Sequence, residues 1–158
     1  MEIEEIIKDV KLKWGNETAW AVVEKIRSYP INWKGALEKS IYFDQEDTLD
    51  GNIDFSMANY GKFVDKGVNG TVKNYGAPYN FHAEKVMGVA YYLKEWSTSK
   101  GLNQYAVAHN LVKKGIKPRP FFDSVIQARM NDLGISIQDA VQAYMDSQIA
   151  NYTANKQL

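Results

Sequence analysis

The chain has 158 residues, 45% of them hydrophobic and 24% charged, which fits a single soluble domain and confines disorder to the ends. Nineteen basic residues balance nineteen acidic ones, so no net field draws the chain to nucleic acid or to an anionic membrane, although a local basic patch stays open. Cysteine is absent, which excludes a disulfide framework, a thiolate nucleophile and a cysteine metal site.

The start Met1-Glu2-Ile3-Glu4-Glu5 is acidic and lacks the basic segment and apolar core of a secretion signal. No apolar run nears the roughly 18 residues that span a bilayer, so the sequence predicts synthesis and folding in the cytosol, away from membranes. Ile3, Ile6, Ile7, Val10 and Leu12 fall at helical spacing, and Trp20, Val22, Val23 and Ile26 resume it. Gly15-Asn16 between them predicts a break or kink, because glycine weakens a helix interior. Pro30 ends the element. Leu37, Ile41 and Phe43 then share one face of a strand, with Glu38, Ser40, Tyr42 and Asp44 on the other. Ile53, Phe55 and Met57 alternate in a second strand after Asp50-Gly51, a pair suited to the positive φ of a hairpin turn. The acidic connection from Gln45 to Asp50 is expected to project into solvent or toward a partner.

Residues 67–82 hold Gly67, Gly70, Gly76 and Pro78 without a sustained period and read as a long loop with short extended pieces. Tyr75, Tyr79 and Phe81 within it need a surface to cover. Val86, Val89, Ala90, Leu93 and Trp96 mark a helix that stops at Gly101, and Leu102, Tyr105, Ala106, His109 and Val112 mark another that closes at Gly115. Beyond the Pro118-Arg119-Pro120 hinge, a helix from Phe121 and Phe122 is predicted to end at Gly134. Ser136 with Asp139 then caps a further helix carrying Ile137, Ala140, Val141 and Tyr144. Trp14, Trp20, Trp33 and Trp96 are expected to be core or half-buried. The reading is one α+β domain over residues 1–150: a small antiparallel sheet built on a β-hairpin, packed against an N-terminal helix and several C-terminal helices. Residues 151–158 form a frayed tail.

Little in this order carries chemistry. His82 and His109 lie far apart with no carboxylate at a ligand spacing, so they read as a loop and a helix-face histidine, and no metal or cofactor is expected. Asp44, Glu46, Asp47, Asp50 and Asp54 lack the central glycine and closing glutamate of a calcium loop and read as solvated charge. Gly67-Val68-Asn69-Gly70-Thr71 lacks the Gly-Lys-Ser/Thr of a phosphate loop. No serine sits in a Gly-x-Ser-x-Gly elbow, so an enzyme is the minor reading and a nucleic-acid-binding module another. Lys113, Lys114, Lys117 and Arg119 either touch phosphate in a DNA channel or cap a helix end and stay wet. Tyr60, Phe63 and Val64 either anchor an interface or pack under the loop.

Three pieces occur in a suggestive order: Gly35-Ala36-Leu37-Glu38-Lys39-Ser40-Ile41, then Tyr60 to Gly67, then Pro118-Arg119-Pro120-Phe121. In that order they resemble small neck proteins of tailed bacteriophages, the tail-completion or head–tail joining family. The resemblance spans roughly residues 35–130. It implies a structural virion protein, not an enzyme, that forms a cyclic homo-oligomeric ring between portal and tail, with DNA passing through. The expected partners are further copies of the chain, the portal or head-completion protein and tail proteins, with transient DNA in the channel. The expected interface residues are Tyr60, Phe63, Val64, Asp65, Gly67, Gly70, Tyr75, Tyr79, Pro118, Arg119, Pro120 and Phe121. Deleting residues 69–80 is expected to leave a folded monomer but to abolish ring joining. The segment from Glu84 to Lys114 departs from the family pattern in carrying two helices, so another portal-adjacent ring or a tail terminator stays open.

Overall fold

The computed structural model describes residues 2–30, 35–44 and 52–155. Within the span read as one domain, the chain forms two compact units, Met1–Ala58 with Phe121–Leu158, and Asn59–Pro120. The fold class is the α+β arrangement that the sequence predicts: a two-stranded antiparallel hairpin accompanied by an N-terminal helix and C-terminal helices.

The first unit is built on α1 (Ile3–Arg27) and α6 (Asp123–Asn155), which run antiparallel. Their pairing is visible at three levels. Ile6 lies beside Ala140, Ala143 and Tyr144; Trp14 donates its indole N–H to the Arg129 carbonyl at 2.8 Å; Ala21 and Glu24 lie beside Ser124 and Val125. Trp14, Thr18, Val22 and Ile26 recur every fourth residue and are all buried, which is the stripe a core-facing helix requires. The Arg129 guanidinium crosses to Thr18 Oγ1 at 2.9 Å and to Glu17 at 3.3 Å, so a cation near the core has an oxygen on each side.

Two short elements close this unit. The single turn α2 (Ala36–Lys39) leads into β1 (Tyr42–Asp44), which pairs with β2 (Asp54–Ser56) in the register Tyr42–Ser56, Phe43–Phe55 and Asp44–Asp54. Phe55 is the hub of an aromatic cluster, with ring centroids 5.4 Å from Phe43, 6.0 Å from Trp14 and 6.2 Å from Phe122. Leu37, Ile41 and Phe43 are buried, as their spacing predicts, but Leu37 sits on a helical turn rather than on a strand. Gly35, at φ 63°, starts that turn in a conformation other residues resist.

Four expectations are corrected here. Gly15 does not break α1: the Phe43 ring lies where a Cβ would stand, 2.4 Å away, so glycine is there to admit the ring. Gly134 does not end α6, because buried Leu133 and half-buried Ile137, Ala140, Val141 and Tyr144 carry one helical face straight across it. That helix continues through Asn155, into the stretch read as a frayed tail. Trp20 is 65% exposed, against the expectation of burial, while Trp14 is core. Trp33 and the acidic connection 45–50 lie outside the described residues.

The second unit holds α3 (Gly61–Lys66), a loop over 67–82 that ends in the 3-10 turn Ala83–Lys85, α4 (Val86–Ser99) and α5 (Gln104–Lys114). Helices α4 and α5 pack through Ala90, Leu93 and Ala108, flanked by Val86, Val89, Val107 and Leu111. The Asn103 side chain caps α5, accepting from the N–H groups of Tyr105 and Ala106 at 2.9 and 3.2 Å. Both helices have the bounds that Gly101 and Gly115 predict. Among the described residues, no helix is long and apolar enough to cross a membrane.

Candidate interaction site: the asparagine-centred loop and its proline strap

Loop 67–82 lacks helical or strand periodicity, yet its backbone is extensively hydrogen-bonded, and the cause is Asn69. This side chain is buried. Its Nδ2 donates to the Ala77 carbonyl at 2.8 Å and to Asn80 Oδ1 at 2.9 Å. Its Oδ1 accepts from Tyr75 N–H at 2.8 Å and from Ala77 N–H at 3.1 Å. Its backbone completes the set, donating to the Tyr79 carbonyl and accepting from Phe81 N–H, each at 2.8 Å. One amide thus supplies the donors and acceptors that a strand partner would otherwise supply.

The loop is also the C-terminal cap of α5. Thr71 N–H donates to the Val112 carbonyl at 2.9 Å, and Val72 N–H donates to the Lys113 carbonyl at 3.1 Å. These are helix-end acceptors that would otherwise lack a partner. The approach is close enough to demand glycine twice. A Cβ on Gly70 would stand 2.1 Å from the Lys113 carbonyl oxygen, and one on Gly115 would stand 2.3 Å from the Val68 carbonyl oxygen. Excision of residues 69–80 would therefore remove the Asn69 network and the α5 cap together, which reverses the expectation that this loop is dispensable to the fold.

After Gly115 the chain returns as an extended strap beside α3. Val68 and Ile116 exchange N–H and carbonyl bonds at 2.9 and 2.8 Å, and Arg119 N–H donates to the Val64 carbonyl at 3.0 Å. The Pro118 ring packs against Gly67. Two segments separated by about fifty residues in the chain are thereby joined.

The residues singled out by sequence divide as follows. Phe63 and Tyr79 form an edge-to-face pair with centroids 4.8 Å apart, so this aromatic packs under the loop. Tyr60, Val64, Gly70, Tyr75, Pro118 and Arg119 are half-buried, Gly67 and Asp65 are buried, and Pro120 is exposed. Partial burial pushes the Tyr60 phenol pKa above its ordinary value of 10.0. Phe121 is fully buried in the single chain, which makes it core rather than a surface anchor. Lys113, Lys114 and Lys117 are exposed, with Arg119 half-buried beside them. His82 and His109 are both exposed, and among the described residues no three potential ligands converge on a metal position.

Two features of the molecule escape the sequence reading. One is Asn69, whose position between Gly67 and Gly70 is the available signal, since asparagine readily mimics backbone in turns. The other is charge segregation. Asn59–Pro120 holds ten basic residues and three acidic ones, an excess of seven positive charges. The remainder of the chain holds nine basic and sixteen acidic, an excess of seven negative charges. The zero total conceals two oppositely charged units. In comparisons with protein families, curated proteins and solved structures, nothing matches the chain.

Proposed function

We propose that this chain is a structural subunit of a tailed-bacteriophage virion, forming a ring at the neck that joins head to tail around the DNA passage. The observation that carries this reading is the meeting of two motif segments. Tyr60–Gly67 and the Pro118-Arg119-Pro120 strap, which resemble the neck family in their order along the chain, are hydrogen-bonded through Val64 and Arg119. A resemblance made of unrelated turns would have no reason to converge. The site so formed is a hydrogen-bonded surface of backbone, aromatic rings and cations, suited to docking rather than to bond making or breaking.

Exposed aromatics favour an assembling role as well: Trp20 on α1 is 65% exposed and Tyr92 on α4 is 83% exposed. Rings of this kind dominate contact energy once a partner covers them. The partners would be further copies of the chain, the portal or head-completion protein, and tail proteins, with residence in the virion after synthesis in the host cytoplasm.

The test is peptide mass spectrometry on purified particles, followed by labelling of this protein for electron microscopy. Label at the head–tail junction is the expected result, and it leaves only the particular ring to identify. Synthesis during infection with absence from particles would overturn the reading. The basic excess in Asn59–Pro120 favours a second reading, a nucleic-acid-binding module. A salt-sensitive mobility shift of duplex DNA by the isolated protein would distinguish it.

A further inference from the structure

Helix α6 has a face that α1 does not cover. Asp132, Asp139 and Asp146 are all exposed and recur every seven residues, so at roughly 3.6 residues per turn they form one acidic stripe along the helix. Exposed Met145, Ile149 and Tyr152, at 53, 59 and 63%, form an apolar edge beside it at three- and four-residue spacing. The only basic side chain on this helix, Arg129, is turned toward Thr18 and Glu17 of α1. On the second unit, the loop and strap gather cations from separated parts of the chain. Lys73 N–H donates to the Lys113 carbonyl, with Lys114 and Lys117 next in the chain and Arg119 held on Val64. Lys73, Lys113, Lys114 and Lys117 are exposed, and half-buried Tyr75 and Tyr79 lie in the same loop.

We infer that these two surfaces are the halves of one contact: the acidic, apolar-edged face of α6 in one copy receives the basic loop and strap of a second copy. Charge complementarity selects this occupant. The α6 stripe presents three exposed carboxylates and the loop and strap four exposed lysines, so one contact pairs opposite charges. Nucleic acid would account for the cations alone. It would leave the acidic stripe and its apolar edge without a role, and the excess of carboxylates on the same chain would repel it. Because the two faces differ, the contact is heterologous, and after one contact each of the two copies still has one face to offer. It rests on the ring reading for closure only and supplies the joint between neighbouring subunits.

The purified full chain is followed by analytical ultracentrifugation at low and at high ionic strength. Wild type is expected to assemble at low salt and to dissociate at high salt. Lys113→Glu/Lys114→Glu/Lys117→Glu and Asp132→Lys/Asp139→Lys/Asp146→Lys are each expected to be monomeric. An equimolar mixture of the two is expected to assemble again, since each reversed face then meets its complement. Gln and Asn replacements at the same positions, checked by circular dichroism, provide the weakened contact should a reversal unfold. A monomeric wild type at every ionic strength, or assembly unaffected by either triple, would overturn the contact. So would a monomer whose lysine triple abolishes salt-sensitive binding to a random-sequence duplex, which would assign the patch to DNA. Assembly in solution combined with absence from particles would retain the contact and sink the neck role; a label at the neck with no salt-reversible assembly would do the opposite.

Discussion

Asn69 is the residue on which the loop depends. Truncation to alanine leaves Tyr75 N–H and Ala77 N–H without their acceptor and the Ala77 carbonyl without its donor. Stranding amide partners beside a buried side chain costs about 1–3 kcal/mol, and half-buried Tyr75 and Ala77 allow water to replace part of that. Asn69→Ala is therefore expected to lower stability by about 2 kcal/mol, with early hydrogen exchange at Tyr75 and Ala77. Asn69→Asp separates the two halves of the amide. It keeps the acceptor for Tyr75 and Ala77 but faces the Ala77 carbonyl and Asn80 Oδ1 with oxygen, so it should destabilise despite its identical shape. Equal stability of Asn69→Asp and wild type would mean that the two Nδ2 bonds contribute nothing. Asn69 was hard to read from sequence because its role is set by backbone groups six and eight residues onward and by the Asn80 side chain eleven onward, and no periodicity marks those.

Among the elements, two glycines within long helices separate what local propensity can and cannot decide. Both stand in helix interiors, where alanine is favoured by about 1 kcal/mol. Gly134 has nothing within 4 Å of a new Cβ, so Gly134→Ala should raise stability by up to about 1 kcal/mol. At Gly15 the Cβ would stand 2.4 Å from the Phe43 ring, and overpacking of that kind costs about 1–3 kcal/mol. Gly15→Ala is expected to lower the melting temperature although it improves helix propensity, and Gly15→Ala with Phe43→Leu should recover part of the loss. Thermal denaturation of the four proteins measures both signs. The same pair explains how much of the fold was legible. Apolar spacing located α1, α4, α5, the hairpin and the start of α6, because burial repeats with the period of the element. The breaks at Gly15 and Gly134 were misplaced because glycine is ambiguous from sequence: it marks a helix end in one setting and a ring's seat in another. The series of buried Leu133 and half-buried Ile137, Ala140, Val141 and Tyr144 keeps its phase across Gly134, and that phase is the signal that outweighs the glycine.

For the whole molecule, the informative quantity is where charge lies, not how much there is. A chain with zero net charge at pH 7 and uniformly mixed charges would bind weakly to either ion exchanger. Loaded dilute, so that copies do not cover one another's patch, this chain should be held by a cation exchanger at low ionic strength, because an adsorbent reads local potential within about one Debye length, ~10 Å at 0.1 M salt. The segregation was countable from sequence, but its boundary was not. The acidic unit is assembled from both ends of the chain, Met1–Ala58 and Phe121–Leu158, and the insertion between them becomes visible only when α6 packs on α1. Two triple variants with the same change in net charge separate patch from total. Lys113→Gln/Lys114→Gln/Lys117→Gln should elute from the cation exchanger at clearly lower salt than wild type. Lys8→Gln/Lys13→Gln/Lys39→Gln removes three charges from the acidic unit and should barely move the peak. Equal shifts would mean that the adsorbent senses only the total, and the loop and strap would then have no special claim as the molecule's electropositive face.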